Sequence, residues 1–310
     1  MATTHPDLRA VRFVPRFSWG PRSTALVRKV RPRPADPGPD VLASELRLPG
    51  SGGNPGVSIR LLQPALGRGP TPLLLWVHGG GLIMGTPEQD DRTTMAFARS
   101  LGATVAAVRY RLAPDAQAPA AVEDVHTALG GLAARADELG VDPARIAIGG
   151  ASAGGGLAAA ATLLAHDRPG PRPMFQLLVY PMLDDRTVTR TDIDTRDVKV
   201  WTPGSNRYGW TSYLGQEPGG PGVSPYAAAA RREDLAGLPP AWIGVGTNDL
   251  FLDEDLEYAR RLRAAGVDCT VQTVPGAFHG FDALFPRAEV SRRFWRQQAN
   301  ALADAWAVGG

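Results

Sequence analysis

Residues Arg145–Ala165 read RIAIGGASAGGGLAAAATLLA. A short apolar run, RIAIG, has the length and content of a buried strand. A glycine cluster follows, and then an alanine-rich run of helical length begins at Ala153. A strand, a glycine loop and a helix in that order admit two chemistries. Gly154, Gly156 and Ala159 fit G-x-G-x-x-A, the loop that holds a dinucleotide pyrophosphate on a helix N-terminus. That use needs an acid about 20 residues on for the ribose, and Gln176–Tyr180 offers none. The alternative is Gly150-Ala151-Ser152-Ala153-Gly154, or G-x-S-x-G, the strand-to-helix turn that lifts a serine hydroxyl clear of a sheet. Small residues on both sides of Ser152 let the backbone turn sharply. The helix N-terminus beneath it favours developing negative charge.

The pattern around this turn is regular. VSIRLLQP from Val57 alternates as a half-buried strand does, and Leu73–Val77 is continuously apolar, as in a strand covered on both faces. Glu88–Leu101 has helical spacing, Thr104–Val108 is strand-like, and Pro119–Leu139 is helical up to a stop at Gly140. After the helix Ala153–His166 come strands at Phe175–Pro181, Ala241–Gly246 and Cys269–Val274, with a helix DEDLEYARRLRAAG between the last two and a long helix from about Arg287. Strands alternating with helices make this an α/β chain with a mostly parallel central sheet flanked by helices. Residues 1–55, broken by RPRPADPGPD and LPGSGGNPG, are expected to form short helices and loops. Asp184–Leu235 has no strand pattern and is too long for a plain connection. It is expected to be an insertion folded over one end of the sheet, leaving 56–183 and 236–310 as the core.

A serine hydroxyl attacks only with a base beside it, and the base needs a carboxylate to hold its tautomer. On a strand-to-helix turn of this type the chain order is Ser, then Asp or Glu, then His. Two histidines follow Ser152. His166 lies deep in the following helix and cannot reach back to its start. His279, in PGAFHGF after the last strand, is the candidate base. In WIGVGTNDLFLDED, Asp249 falls just past a strand end, with Asp253 as the alternative, and Asp253, Glu254 and Asp255 also suit the first turn of the next helix. His78-Gly79-Gly80-Gly81 follows the Leu73–Val77 strand, where bare glycine N–H groups could meet an oxyanion. His78 itself reads as a packing residue.

The 310 residues carry a net charge of +2, so no global field argues for nucleic acid. Residues 1–34 hold eight Arg and Lys against Asp7 alone. They are read as a solvated, partly helical segment over the core in preference to a basic arm for nucleic acid or membrane. The single cysteine, Cys269, excludes an internal disulfide and reads as a small buried hydrophobe. No histidine or cysteine cluster has ligand spacing, so neither metal nor other cofactor is expected. No signal-peptide or membrane-spanning run appears, and a cytoplasmic location without membrane partners is expected.

HGGG, YRLAPDAQAPAAVEDV, GASAGG, LPPAWIGVGTNDLFLDEDLEYARRLRAAG and FHGF, in that order, resemble the hormone-sensitive-lipase-like family of α/β-hydrolases, chiefly its bacterial carboxylesterases. The resemblance covers most of the chain from Leu73 onward. It implies the α/β-hydrolase fold with a mainly helical cap built from residues 1–55 and 184–235. It implies oxyanion donors at the N–H groups of Gly80, Gly81 and Ala153, and structural roles for Tyr110, Arg111 and Asp124. Ala151 departs from the Asp or Thr usual in that family and removes a polar group beside the serine. The expected activity is hydrolysis of short- to medium-chain acyl esters through an acyl-enzyme on Ser152, Asp249 and His279. An amide or acetyl-group hydrolase on the same triad and a non-catalytic ligand-binding protein on the same fold are the alternatives. The presence of His279 argues against the latter. Phe13, Phe17, Trp19, Trp201, Tyr208 and Trp210 are candidates for an apolar lid, and the resemblance implies a homodimer through the edge of Cys269–Val274.

Overall fold

The computed structural model describes residues 4–30, 32–50, 53–66 and 69–308. The turn expected around Ser51 and Gly52, and Arg31 of the basic segment, lie outside the described residues. Among the described residues, strands β1 (Val41–Leu48), β2 (Val57–Pro64), β3 (Thr71–Val77), β4 (Thr104–Arg109), β5 (Val141–Ala151), β6 (Phe175–Val179), β7 (Ala241–Gly246) and β8 (Cys269–Val274) form one sheet in the order β1-β2-β4-β3-β5-β6-β7-β8. β1 and β2 pair antiparallel, as do β2 and β4, and every pair from β4 to β8 is parallel. The helices are α1 (Pro21–Val27), α2 (Asp91–Leu101), α3 (Ala120–Ala134), α4 (Ala136–Leu139), α5 (Ala153–Asp167), α6 (Pro203–Leu214), α7 (Leu252–Ala264), α8 (Phe281–Leu284) and α9 (Glu289–Val308).

Alternation along β3 explains its continuous apolar run. Leu73, Leu75 and Val77 join one buried cluster with residues of α3, α5 and α7, while Leu74 and Trp76 join a second with residues of α2 and α9. Both faces of the sheet are therefore roofed by helices, so the inner strands are apolar on both sides at most positions.

Two expectations need correction. Residues 1–55 are not only short helices and loops, because Val41–Leu48 forms β1, an edge strand on β2. Only its two end residues are buried, so it lacks the apolar run that marks the inner strands. The helix expected over Pro119–Leu139 is interrupted at Arg135, between α3 and α4.

Residues 184–235 run between β6 and β7 and hold α6 and two 3-10 turns, Asp185–Thr189 and Ala229–Arg231, with no strand among them. The N-terminal segment divides. Leu8 and Val11 bury in the α9 face of the core. Further along, Arg16 Nη2 donates to the Thr195 carbonyl at 2.8 Å, Ser18 Oγ lies 2.7 Å from Thr202 Oγ1, and the Trp19 N–H donates to Ser205 Oγ at 2.9 Å. This second part rests on the insertion. No helix among the described residues is long and apolar enough to cross a membrane.

Candidate active site

The register aligns the carboxyl ends of the strands. Val77 faces Gly150, Ala151 faces Val179, and Gly246 faces Val274. The segments carrying His78–Gly81, Ser152, Asp249 and His279 all leave this one edge, where open α/β sheets bind their ligands.

Ser152 is the N-cap of α5 at φ 58°, a positive value that costs a non-glycine residue strain. Its N–H is held by the Val179 carbonyl at 2.8 Å, and its own carbonyl accepts from Gly156 and Met182, both at 3.0 Å. The flanking glycines make the turn sterically feasible. A Cβ on Gly154 would come within 2.0 Å of the Val77 carbonyl oxygen, and one on Gly150 within 2.5 Å of the same atom. At both glycines the loop is pressed against the end of β3.

His279 Nε2 lies 2.8 Å from Ser152 Oγ, and His279 Nδ1 lies 2.8 Å from Asp249 Oδ2. With the imidazole proton on Nδ1, that N–H donates to Asp249 and Nε2 accepts from the serine hydroxyl. The other Asp249 oxygen, Oδ1, accepts from the Phe251 N–H at 3.0 Å. All three side chains are buried. Two aromatic edges flank the imidazole: Tyr180 at a centroid distance of 4.9 Å and Phe251 at 5.1 Å, both T-shaped. Tyr180 OH in turn donates to Asp282 Oδ1 at 2.8 Å, and burial raises the Asp282 carboxyl above its ordinary range. Neither Tyr180 nor Phe251 was legible as a neighbour of His279, because both are ordinary apolar positions of their segments.

The glycine loop lies beside the serine. A Cβ on Gly79 would stand 3.4 Å from Ser152 Cβ. Gly80 and Gly81 adopt φ of 122° and 61°, and the Gly80 carbonyl closes the turn by accepting from Ile83 and Met84 at 3.2 and 3.1 Å. First-turn N–H groups of a helix have no intrahelical acceptor, so the Ala153 amide at the start of α5 is available on the same side. His78 packs as expected. It is 1% exposed, stacks on Tyr110 at 4.3 Å and donates from Nδ1 to the Gly79 carbonyl at 2.8 Å, and burial pulls its pKa down to about 4. Tyr110 OH donates to the His78 carbonyl at 3.0 Å, and Arg111 is clamped on Asp124 through Nε and Nη2. Cys269 is buried in β8 and burial raises its thiol to about 11.

Among the acids of α7, Asp253 is half-exposed and pairs with Arg190 at 2.9 Å, away from the imidazole. Glu254 is the unexpected one. It is buried and accepts from the Leu183 N–H at 2.7 Å, from the Asp184 N–H at 3.1 Å and from Thr187 Oγ1. It ties the root of the insertion to the helix that follows Asp249, and burial raises its pKa well above the ordinary value. The chain alone places it only in a helix first turn.

The six candidate lid aromatics separate. Phe13 and Phe17 are exposed, Trp19 and Tyr208 half-buried, and Trp201 and Trp210 buried. Gly80 also borders a cavity of about 1010 Å³ whose lining includes Val27, Val30 and Pro32 of the N-terminal segment.

Residues 74–283 match a family described as having the alpha/beta hydrolase fold. The chain is 37% identical to carboxylic ester hydrolase LipN of Mycobacterium tuberculosis over 81% of this chain and 68% of that protein. It is 34% identical to carboxylesterase NlhH of the same species over 78% of each. A solved structure of a bacterial heroin esterase superposes with a TM-score of 0.91 at 39% identity, covering 98% of both chains.

Proposed function

Since the chain belongs to the α/β-hydrolase family and is a carboxylic ester hydrolase, we propose that it cleaves short- to medium-chain acyl esters through an acyl-enzyme on Ser152. One observation carries this reading: the unbroken pair of 2.8 Å contacts from Ser152 Oγ through His279 to Asp249. Ser152 Oγ attacks the ester carbonyl carbon as His279 Nε2 takes its proton. Asp249 holds the proton on Nδ1 and stabilises the imidazolium that forms. The carbonyl oxygen, now negative, is met by the N–H groups of Gly80, Gly81 and Ala153, which act in a dry site and need no reorganisation. The tetrahedral intermediate collapses as His279 returns the proton to the alkoxide, and the alcohol leaves. Water then repeats the sequence on the acyl-enzyme, with His279 as base, and releases the acid.

The N-terminal segment and residues 184–235 form a cap over this edge. The contacts of Ser18 and Trp19 with Thr202 and Ser205 support that division. A serine that is only 7% exposed suits small soluble esters. The test is turnover of p-nitrophenyl esters from acetyl to hexadecanoyl by the wild type and by Ser152→Ala. Activity that peaks at short or medium chains and disappears in the variant supports the reading. Full activity in the variant overturns the nucleophile, and a peak at hexadecanoyl overturns the chain-length range.

A further inference from the structure

Trp201 stands at the centre of the insertion, held from both sides. On its amino side, Val200 has φ 66° and the Trp201 N–H donates to the Lys199 carbonyl at 2.7 Å. That bond closes a three-residue γ-turn around a β-branched residue with positive φ, a rare and strained conformation. On its carboxyl side, Thr202 caps α6 by accepting from the Ser205 N–H at 3.2 Å, and Thr202 Oγ1 also meets Ser18 Oγ at 2.7 Å. Indole Nε1 donates to Asn206 Oδ1 at 3.2 Å. The side chain is therefore fixed, and it is 3% exposed.

What it is aimed at is the glycine loop. A Cβ on Gly81 would fall 1.9 Å from Trp201 Cη2, 2.6 Å from Cζ2 and 2.8 Å from Cζ3. The edge of the six-membered ring thus rests on the Gly81 α-carbon. Gly209 of α6 backs the same spot, since a Cβ there would lie 2.8 Å from the Gly81 carbonyl oxygen and 3.2 Å from Trp201 Cζ2. Two glycines thus leave room for one ring edge, and a strained turn sets that edge in place. Backbone strain that persists in a well-packed region clusters at ligand clamps and active sites.

We propose that Trp201 is a specificity-determining residue: its ring edge walls the ester site beside Gly81 and limits the size of the group carried next to the ester carbonyl. This rests on the reading of Gly81 as an oxyanion donor and Ser152 as the nucleophile. A carbonyl whose oxygen meets the Gly81 N–H brings its substituents within reach of whatever lies on the Gly81 α-carbon, and here that is a rigid indole.

Trp201→Phe deletes the outer atoms, Cη2 and Cζ2 among them, that touch Gly81, and Trp201→Ala removes the wall. The experiment measures kcat/KM of the full chain for p-nitrophenyl acetate, butyrate, octanoate and decanoate, and for acetates of alcohols of rising size. Wild type, Trp201→Phe, Trp201→Ala and Ser152→Ala are run together. The ratio of large to small substrate should rise about tenfold or more in Trp201→Ala and by a smaller factor in Trp201→Phe, in the acyl series or in the alcohol series, since a pocket discriminates by roughly that factor per methylene. The series that moves identifies the side of the carbonyl that meets the ring. Ratios within about twofold of wild type in both series overturn the proposal. If Trp201→Ala does not fold, the same ratios measured on Trp201→Phe decide between these outcomes. Turnover that survives in Ser152→Ala would instead overturn the nucleophile, independently of the ratios.

Discussion

Asp249 Oδ2 takes the His279 Nδ1 hydrogen bond at 2.8 Å, whereas Asp253, one helical turn further along the chain, reaches away to Arg190 at 2.9 Å. The two carboxylates are chemically alike and only four residues apart, yet one faces the buried imidazole and the other faces solvent. Asp249→Asn should lower kcat by about four orders of magnitude, because the amide no longer fixes the productive tautomer. Asp253→Asn should change kcat/KM by less than about twofold. Steady-state kinetics on the two variants checks both, and the reverse order would reassign the carboxylate.

The glycines on either side of Ser152 predict opposite outcomes from glycines elsewhere. In Gly154→Ala the new methyl would stand 2.0 Å from the Val77 carbonyl oxygen and 2.5 Å from that of His78. The resulting overpacking is backbone against backbone and should destabilise by about 3 kcal/mol or prevent folding. Gly130, in α3, has nothing within 4 Å of an added Cβ. Gly130→Ala should stabilise by about 0.5–1 kcal/mol through helix propensity and unfolded-state entropy. Urea unfolding of the two variants measures the contrast.

Two arginine–carboxylate pairs of similar geometry should differ in worth. Arg60 Nε lies 2.6 Å from Asp91 Oδ1, with both side chains under 10% exposed. Arg260 Nη2 lies 2.7 Å from Glu257 Oε1, with both more than half exposed. Arg60→Ala leaves a buried carboxylate unpaired and should cost about 3–5 kcal/mol. Arg260→Ala should cost far less than Arg60→Ala, and less still in high salt. Chemical denaturation at low and high ionic strength separates them.

Burial holds His78 neutral, with a pKa of about 4 against 6.5 in the ordinary case; nearby Arg109 adds to the drop, while the Gly79 carbonyl and Glu88 oppose it. The unfolded chain therefore binds one more proton than the folded chain between these values. Stability attributable to His78 is unaffected above pH 6.5 and is lost as pH falls toward 4, by about 3 kcal/mol in full. His78→Phe keeps the stack on Tyr110 and removes the titration. It should be less stable than wild type at pH 7, yet its stability should fall less steeply between pH 6.5 and 4. Parallel slopes in thermal unfolding across that window would contradict the assignment.

Much of the architecture was legible because the inner strands are covered on both faces. Leu73–Val77 must be apolar throughout, and a continuous apolar run followed by a helical period leaves few alternatives. β1 was not legible for the complementary reason. At a sheet edge with only its ends buried, VLASELRL carries no one-sided pattern, and its main-chain pairing with β2 leaves no trace in side-chain types. Glu254 escaped notice because an acid in a helix first turn is the common case. Its burial depends on residues 183–187 folding back over it from 70 positions away.

The sequence by itself determined the strand-turn-helix around Ser152, the glycine loop after β3, and the order of serine, acid and histidine, since each depends on local sterics or on which residue types exist at all after Ser152. Only the tertiary structure decided that Asp249 and not Asp253 meets His279, that Tyr180 and Phe251 flank the imidazole, and that, of six candidate aromatics, Trp201 is the one set on Gly81. Those outcomes depend on where segments separated by tens of residues come to rest, and distance along the chain carries no information about the direction in which a side chain finally points.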